Sequence, residues 1–185
     1  VLEGIRRKLP RTEVFYDKGC DYVDNMVMHS FFDQCTFGGK KGFKAEFWNN
    51  KEATGNPVVS TQLSEPFNFV TMGGTAFVAG VNLNNFSGRF ESVFTPVKTG
   101  EVTFYLAGDD GTRLYVDGKR VIDDWGHGPA KEKTYTMQVE AGKKYPIVLE
   151  YWQGGGKGEL HFDLGYKSVI DFQSVVAKVE DADAI

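Results

Sequence analysis

Apolar and polar residues alternate with a period of two through the middle of the chain, and this spacing predicts β-strands. Phe43-Lys-Ala-Glu-Phe-Trp48 and Arg89-Phe-Glu-Ser-Val-Phe94 each read as one strand. In Glu101–Ala107, Val102, Phe104 and Leu106 fall on one face and Thr103 and Tyr105 on the other. Thr112–Val116 and Lys119–Ile122 flank Asp117-Gly118. Asp-Gly between two apolar runs is a hairpin signal, because a type I′ turn needs positive φ at both central positions. Lys133–Val139 alternates again, with Tyr135, Met137 and Val139 together; Ala141-Gly142 turns the chain, and Tyr145–Trp152 and Glu159–Leu164 follow. The spacing of these runs predicts a mainly β chain, an antiparallel β-sandwich or barrel.

The ends have a different period. Leu2, Ile5 and Leu9 trace a short helix face that Pro10 ends, and Thr12–Tyr16 reads as a strand. Phe37-Gly-Gly-Lys-Lys-Gly42 reads as a linker. Phe172, Val175, Val176 and Val179 form a helical stripe that Asp171 can cap, and Ala184-Ile185 looks like the start of a strand. Three zones result: a flank over 1–41, a β domain over 42–167 and a second flank over 168–185. Helix and strand signals on both sides of a β block predict a domain inserted into an α/β host. The first residue is Val1, not Met, and the expectation is a piece of a longer protein.

Composition narrows the partners. Lys and Arg number 21 against 25 Asp and Glu, for a net charge of −4. No basic surplus exists to neutralise phosphates, so neither nucleic acid nor an anionic membrane surface is an expected partner. No run of about 18 apolar residues spans a bilayer. Aromatics make up 14%, and the 22 glycines suit tight turns between strands. The two cysteines, Cys20 and Cys35, are either small buried apolar residues or a single bridge. His29, His127 and His161 are scattered, without zinc spacing.

Three polar stretches could carry chemistry. Asp109-Asp110-Gly111 follows a strand and opens a turn. Adjacent carboxylates repel, and a cation, an arginine or sugar hydroxyls would satisfy them; a solvated turn would do so as well. Arg113 stands close enough to neutralise the pair or to pack on an aromatic ring. Asp123-Asp124-Trp125-Gly-His127-Gly128 is a second polar loop, and Trp152-Gln153-Gly-Gly-Gly-Lys157 a third. A Trp in such a loop is either a sugar platform or core, whereas Trp48, inside a strand, is expected in the core. Asp109, Asp110, Asp123 and Asp124 could supply a pair of glycosidase carboxylates only on paper, and no nucleophile elbow or zincin motif is present. No catalytic residue is assigned within the chain.

Ala107-Gly-Asp-Asp-Gly-Thr-Arg-Leu-Tyr-Val-Asp-Gly118 followed by Val121-Ile-Asp-Asp-Trp125 resembles the core signature of the domain first named in a toxin's protective antigen, the "PA fourteen" domain. Phe43–Trp48 is similar to its opening strand, Phe94-Thr-Pro96 with Thr99-Gly100 to a middle segment, and Glu140–Ile147 with Leu149-Glu-Tyr151 to a late hairpin. The resemblance implies a protective-antigen-like sandwich that engages carbohydrate. In yeast adhesins with this domain a consecutive Asp pair holds calcium that contacts the sugar. Asp109 and Asp110 align with that pair, and Gln153 stands where a nearby loop there supplies Asn. Carbohydrate-binding candidates are therefore Asp109, Asp110, Arg113, Trp125, His127, Trp152, Gln153 and Lys157; the metal candidates are Asp109 and Asp110. No cofactor is required, and calcium is an option.

The flanks resemble the second domain of family-three glycoside hydrolases, on Leu2-Glu-Gly-Ile with Val14-Phe-Tyr-Asp-Lys-Gly-Cys20, and on Asp171–Ala184. The implied role is an accessory domain of a β-glucosidase-like hydrolase, shaping substrate access and chain-length preference. The alternatives are an autonomous calcium-dependent lectin and a structural spacer or dimerisation module. The implied partners are a β-glucoside or oligosaccharide, the rest of the parent glycosidase and, as an option, a second copy. The implied location is periplasmic or secreted.

Overall fold

Strand-forming sequence dominates the computed structural model, which describes residues 7–8, 26–71 and 74–169. The chain divides into two compact units, Ser30–Tyr166 and a second made of Val1–His29 with Lys167–Ile185. The expected terminal helices, the strand over 12–16, Cys20 and Ala184-Ile185 lie outside the described residues.

Thirteen strands are described: β1 (Met26–Ser30), β2 (Cys35–Phe37), β3 (Lys40–Lys41), β4 (Phe43–Trp48), β5 (Val59–Leu63), β6 (Phe67–Val70), β7 (Phe86–Phe94), β8 (Gly100–Asp109), β9 (Gly111–Val116), β10 (Lys119–Asp124), β11 (Lys133–Val139), β12 (Tyr145–Gln153) and β13 (Glu159–Val169). In the Ser30–Tyr166 unit, one sheet pairs β13 with β8, β8 with β11 and β6 with β13. The other runs β10-β9-β12-β7-β2-β3, with β4 also on β7 and β5 on β4. In the second unit, His29 Nε2 lies 2.7 Å from Ser168 Oγ.

Inward positions of both sheets are fully buried: Phe43, Ala45 and Phe47 on β4, Phe90 and Phe94 on β7, Phe104 and Leu106 on β8, Leu149 on β12, and Leu160 and Leu164 on β13. Burying such large apolar side chains contributes roughly 1.5–3 kcal/mol each. Phe67 sits at the hub of a ring network, 4.8 Å from Phe90, 5.3 Å from Phe43 and 5.6 Å from Phe162. The mainly β, antiparallel sandwich expected from the alternation is what forms.

The turn chemistry holds where Asp117 and Gly118 take φ of 52° and 75° between Val116 and Lys119, which pair across the hairpin. Earlier in the chain the structure departs from the expectation. Phe37–Gly42, expected as a linker, is a hairpin of the larger sheet: Phe37 pairs with Lys40, and Gly38 and Gly39 have φ of 58° and 78°. Two central residues at positive φ are the same signal as Asp-Gly. Cys35, inside β2, is a free and fully buried thiol whose pKa is pushed up, first by burial and then by Asp163 and Asp33.

Candidate functional site

The outward face of the larger sheet presents its side chains in rows, because register places every second residue of neighbouring strands side by side. One row reads Trp48, Ser87, Trp152 and Gly111 across β4, β7, β12 and β9. The next reads Glu46, Arg89, Glu150, Arg113 and Asp123, alternating in charge across five strands. Arg89 donates to Glu91 and to Glu150, both at 2.8 Å, and Arg113 Nε donates to Asp123 at 2.8 Å.

A trough opens in the first row because small residues alternate with large ones. The Trp152 indole leans over Gly111, where a Cβ would lie 1.9 Å from its Nε1. That lean clears the space above Ser87, between Trp152 and Trp48. The Trp48 indole N–H is satisfied by Gly55 O at 3.0 Å. The result is a groove of about 570 Å³. Small-molecule sites fall at roughly 300–1,000 Å³. Trp48, Ser87, Trp125 and Trp152 line it, together with Lys51, Glu52, Ala53, His127, Arg89 and Glu150.

Trp125 follows β10 and is 36% exposed, whereas Trp152 is 8% exposed. The Arg113 guanidinium lies 4.3 Å from the Trp125 ring centroid, and Trp152 meets that ring edge-on at 6.3 Å. His127 stands perpendicular to Trp152 at 4.7 Å, and Lys51 Nζ lies 5.2 Å from the Trp152 centroid. Arg113 raises no question of neutralising the aspartate pair: it serves Asp123 and Trp125. Its hydrogen bond holds the Asp123 carboxyl below the usual range.

The three polar stretches do converge, through Asp110. Its Oδ2 accepts from Gly154 N at 2.8 Å, and its Oδ1 from Gly128 N at 3.3 Å, with His127 Nδ1 at 3.3 Å. One buried carboxylate thus ties the strand end at 109–111 to the 125–128 and 153–158 loops. Asp109 is partly exposed, and its carboxyl is held above the usual range, first by desolvation and then by Asp110 and Glu159. Asp123 and Asp124 belong to β10 rather than to a loop, and Asp124 faces Lys133 at 3.6 Å.

Of the eight candidates, Trp125, His127 and Trp152 line the groove, whereas Asp109, Asp110, Arg113, Gln153 and Lys157 fall outside its lining. Gln153 is completely buried; its amide oxygen accepts from Tyr151 Oη at 3.2 Å and its Nε2 donates to Gly155 O at 3.0 Å. It shapes the loop from inside and is not a surface contact, a correction to the expected sugar-binding role. Lys157 pairs with Glu159. Trp48, expected in the core, is 7% exposed and also lines the groove, as do Lys51, Arg89 and Glu150, which the sequence reading does not single out. The signal for Arg89 and Glu150 was present: both sit at outward positions of alternating strands and carry opposite charge.

Calcium takes six to eight oxygen ligands. Both Asp110 oxygens already accept from N–H donors, and the Gln153 amide oxygen accepts from Tyr151. Among the described residues, no group of three or more His, Cys, Asp or Glu side chains is placed to hold a metal ion.

Residues 39–172 match the PA14 domain family. The chain belongs to that family. The PA14 domain has relatives in several settings. It is 29% identical over 97% of the chain to a xylan 1,4-β-xylosidase of Xylanibacter ruminicola, covering 21% of that protein. It is 32% identical over 63% of the chain to an anti-sigma-I factor of Acetivibrio thermocellus, covering 18% of that protein. The chain therefore spans about a fifth of the length of these curated relatives. A β-glucosidase from Kluyveromyces marxianus shares the fold at a TM-score of 0.64 and 18% identity, over 97% of the chain and 23% of that structure. The protective-antigen-like architecture expected from Ala107–Trp125 is thus established, and PA14 domains related to this one stand within glycosidases.

Proposed function

We propose that this PA14 domain is an accessory carbohydrate-facing module of a β-glucosidase-like glycoside hydrolase. Its groove holds sugar units beyond the bond being cleaved, and so shapes substrate access and chain-length preference. The observation that carries this is the convergence of Trp48, Trp125 and Trp152 on one groove with paired charges beside it. Aromatic faces take the apolar faces of pyranose rings, and flanking carboxylates and guanidinium groups take hydroxyls. The xylosidase relative matches across nearly the whole chain, flanks included, which supports the glycosidase setting. Acting on polymer fragments, such an enzyme works in the periplasm or outside the cell.

The test is made on the parent enzyme with Trp125→Ala, the most exposed of the three rings. Hydrolysis of an aryl glucoside and of a cello-oligosaccharide series is compared by kcat/KM. The expected result is an unchanged aryl glucoside rate and a selective loss, of roughly three- to tenfold, on longer chains. An unchanged dependence on chain length overturns the proposal.

A further inference from the structure

We infer that the groove selects an acidic glycan, one bearing a uronic acid whose carboxylate pairs with Lys51 while its ring lies against Trp125. The inference deepens the carbohydrate reading above and rests on it.

Every other basic side chain at or beside the groove is already committed. Arg89 serves Glu91 and Glu150, and Arg113 serves Asp123. Lys51 is different. Its ammonium lies over the Trp152 ring at 5.2 Å, and it makes no ion pair with a described residue. It is only partly exposed, so it stands within the groove rather than in bulk water. A cation over an indole is favourable, yet the ring takes none of its three N–H donors.

Glu150 and Asp110, the carboxylates beside Lys51, each have partners other than its ammonium. Glu150 is held by Arg89 at 2.8 Å and by Tyr115 Oη at 3.4 Å. Asp110 accepts two backbone N–H groups and faces His127. Glu52, the next residue, is exposed at the rim, where water and salt screen it. Lys51 Nζ, His127 Cε1 and Asp110 Oδ2 all come within 3.2 Å of where a Cβ on Gly154 would stand. The glycine keeps that corner open beside the ammonium. A carboxylate on a pyranose ring projects from the ring edge, so stacking on Trp125 and pairing with Lys51 are compatible in one ligand.

The test is a calorimetric titration of the full chain with two oligosaccharides of equal length, a xylo-oligosaccharide bearing one glucuronic acid and its unsubstituted counterpart. Lys51→Met keeps an aliphatic side chain on Trp152 and removes only the charge; Lys51→Arg restores it; near-UV circular dichroism confirms the fold of both. The acidic ligand is expected to bind roughly tenfold tighter to the native chain at low salt. That advantage should vanish in Lys51→Met and at high salt, and survive in Lys51→Arg. Equal affinity for the two ligands, or an advantage that persists in Lys51→Met, overturns the inference and leaves the carbohydrate reading intact. Binding of neither ligand overturns both.

Discussion

Gly111→Ala tests the origin of the groove. Gly111 is not among the residues at positive φ, so alanine suits its backbone, and the exchange alone would stabilise by about 0.4–1 kcal/mol through the unfolded state. The added methyl, however, would lie 1.9 Å from Trp152 Nε1, 2.6 Å from Cδ1 and 2.7 Å from Cε2. Carbon contacts settle near 3.5–4.0 Å, so the indole must withdraw by roughly 1–2 Å. Overpacking of this kind costs about 1–3 kcal/mol. The net is a destabilisation of about 1–2 kcal/mol, or roughly 2–8 °C in Tm for a chain of this size. The direction of retreat matters more than the magnitude. β9 now blocks one side, so the ring moves toward Ser87 and fills the trough. The assay is thermal unfolding with the chemical shift of the Trp152 indole N–H, followed by the glycan titration. A double-mutant cycle with Trp152→Leu should show coupling above about 0.5 kcal/mol. A raised Tm with an unmoved indole resonance would refute the steric origin of the groove.

Asp110→Asn keeps the shape of the side chain but leaves one of its N–H partners without an acceptor. A loss of about 1–3 kcal/mol is expected, read as a lower urea midpoint at unchanged m; an unmoved midpoint would show that the carboxylate does not hold the loops. Asp109→Asn should have a pH-dependent effect. The folded carboxyl is held above its unfolded value of 3.8, so an ionisation penalty builds as pH rises from that value through the folded one and stays constant above. The variant should therefore gain stability over the native chain at pH 7 and not at pH 3; equal differences at both pH values would contradict this. Arg113→Leu removes the support beneath Trp125 and the bond that lowers the Asp123 carboxyl. Stability from that bond is present above 3.8 and lost as pH falls through the lowered value, so the native advantage should shrink in acid, and acrylamide should quench tryptophan emission more strongly in the variant.

What could be read from the sequence was local. Val102, Phe104 and Leu106 declare a half-buried strand by themselves, and Asp117-Gly118 declares its own turn. Gly38-Gly39 makes the same declaration yet reads as a linker, because the strands it joins, Cys35–Phe37 and Lys40–Lys41, are too short to show a period. Val59–Leu63 escapes for a related reason: its core-facing side shows only Val59 and Leu63 around Thr61, too few apolar positions to declare a period. The groove was illegible in a stronger sense. Trp48, Ser87, Gly111 and Trp152 are neighbours only through the register of four strands, and nothing near any one of them in the chain names the other three.

The Asp109-Asp110-Gly111 tripeptide is where local reading and register meet, and its chemistry points inward. Asp110 spends its lone pairs on the backbone of two loops, which holds Trp125 and His127 in the groove lining. Gly111 spends its missing side chain on the Trp152 indole, which clears the groove. An identical stretch could in principle bind a ligand with its carboxylates or build a site with its shape, and the two differ in what a mutation does. A ligating aspartate, once replaced, lowers affinity and leaves the fold intact. A building aspartate lowers stability first and affinity only through the loops it releases. The distances around Asp110 match the second class: its carboxylate is taken up by Gly128, Gly154 and His127, and the Trp125 and His127 that line the groove stand on a loop it holds.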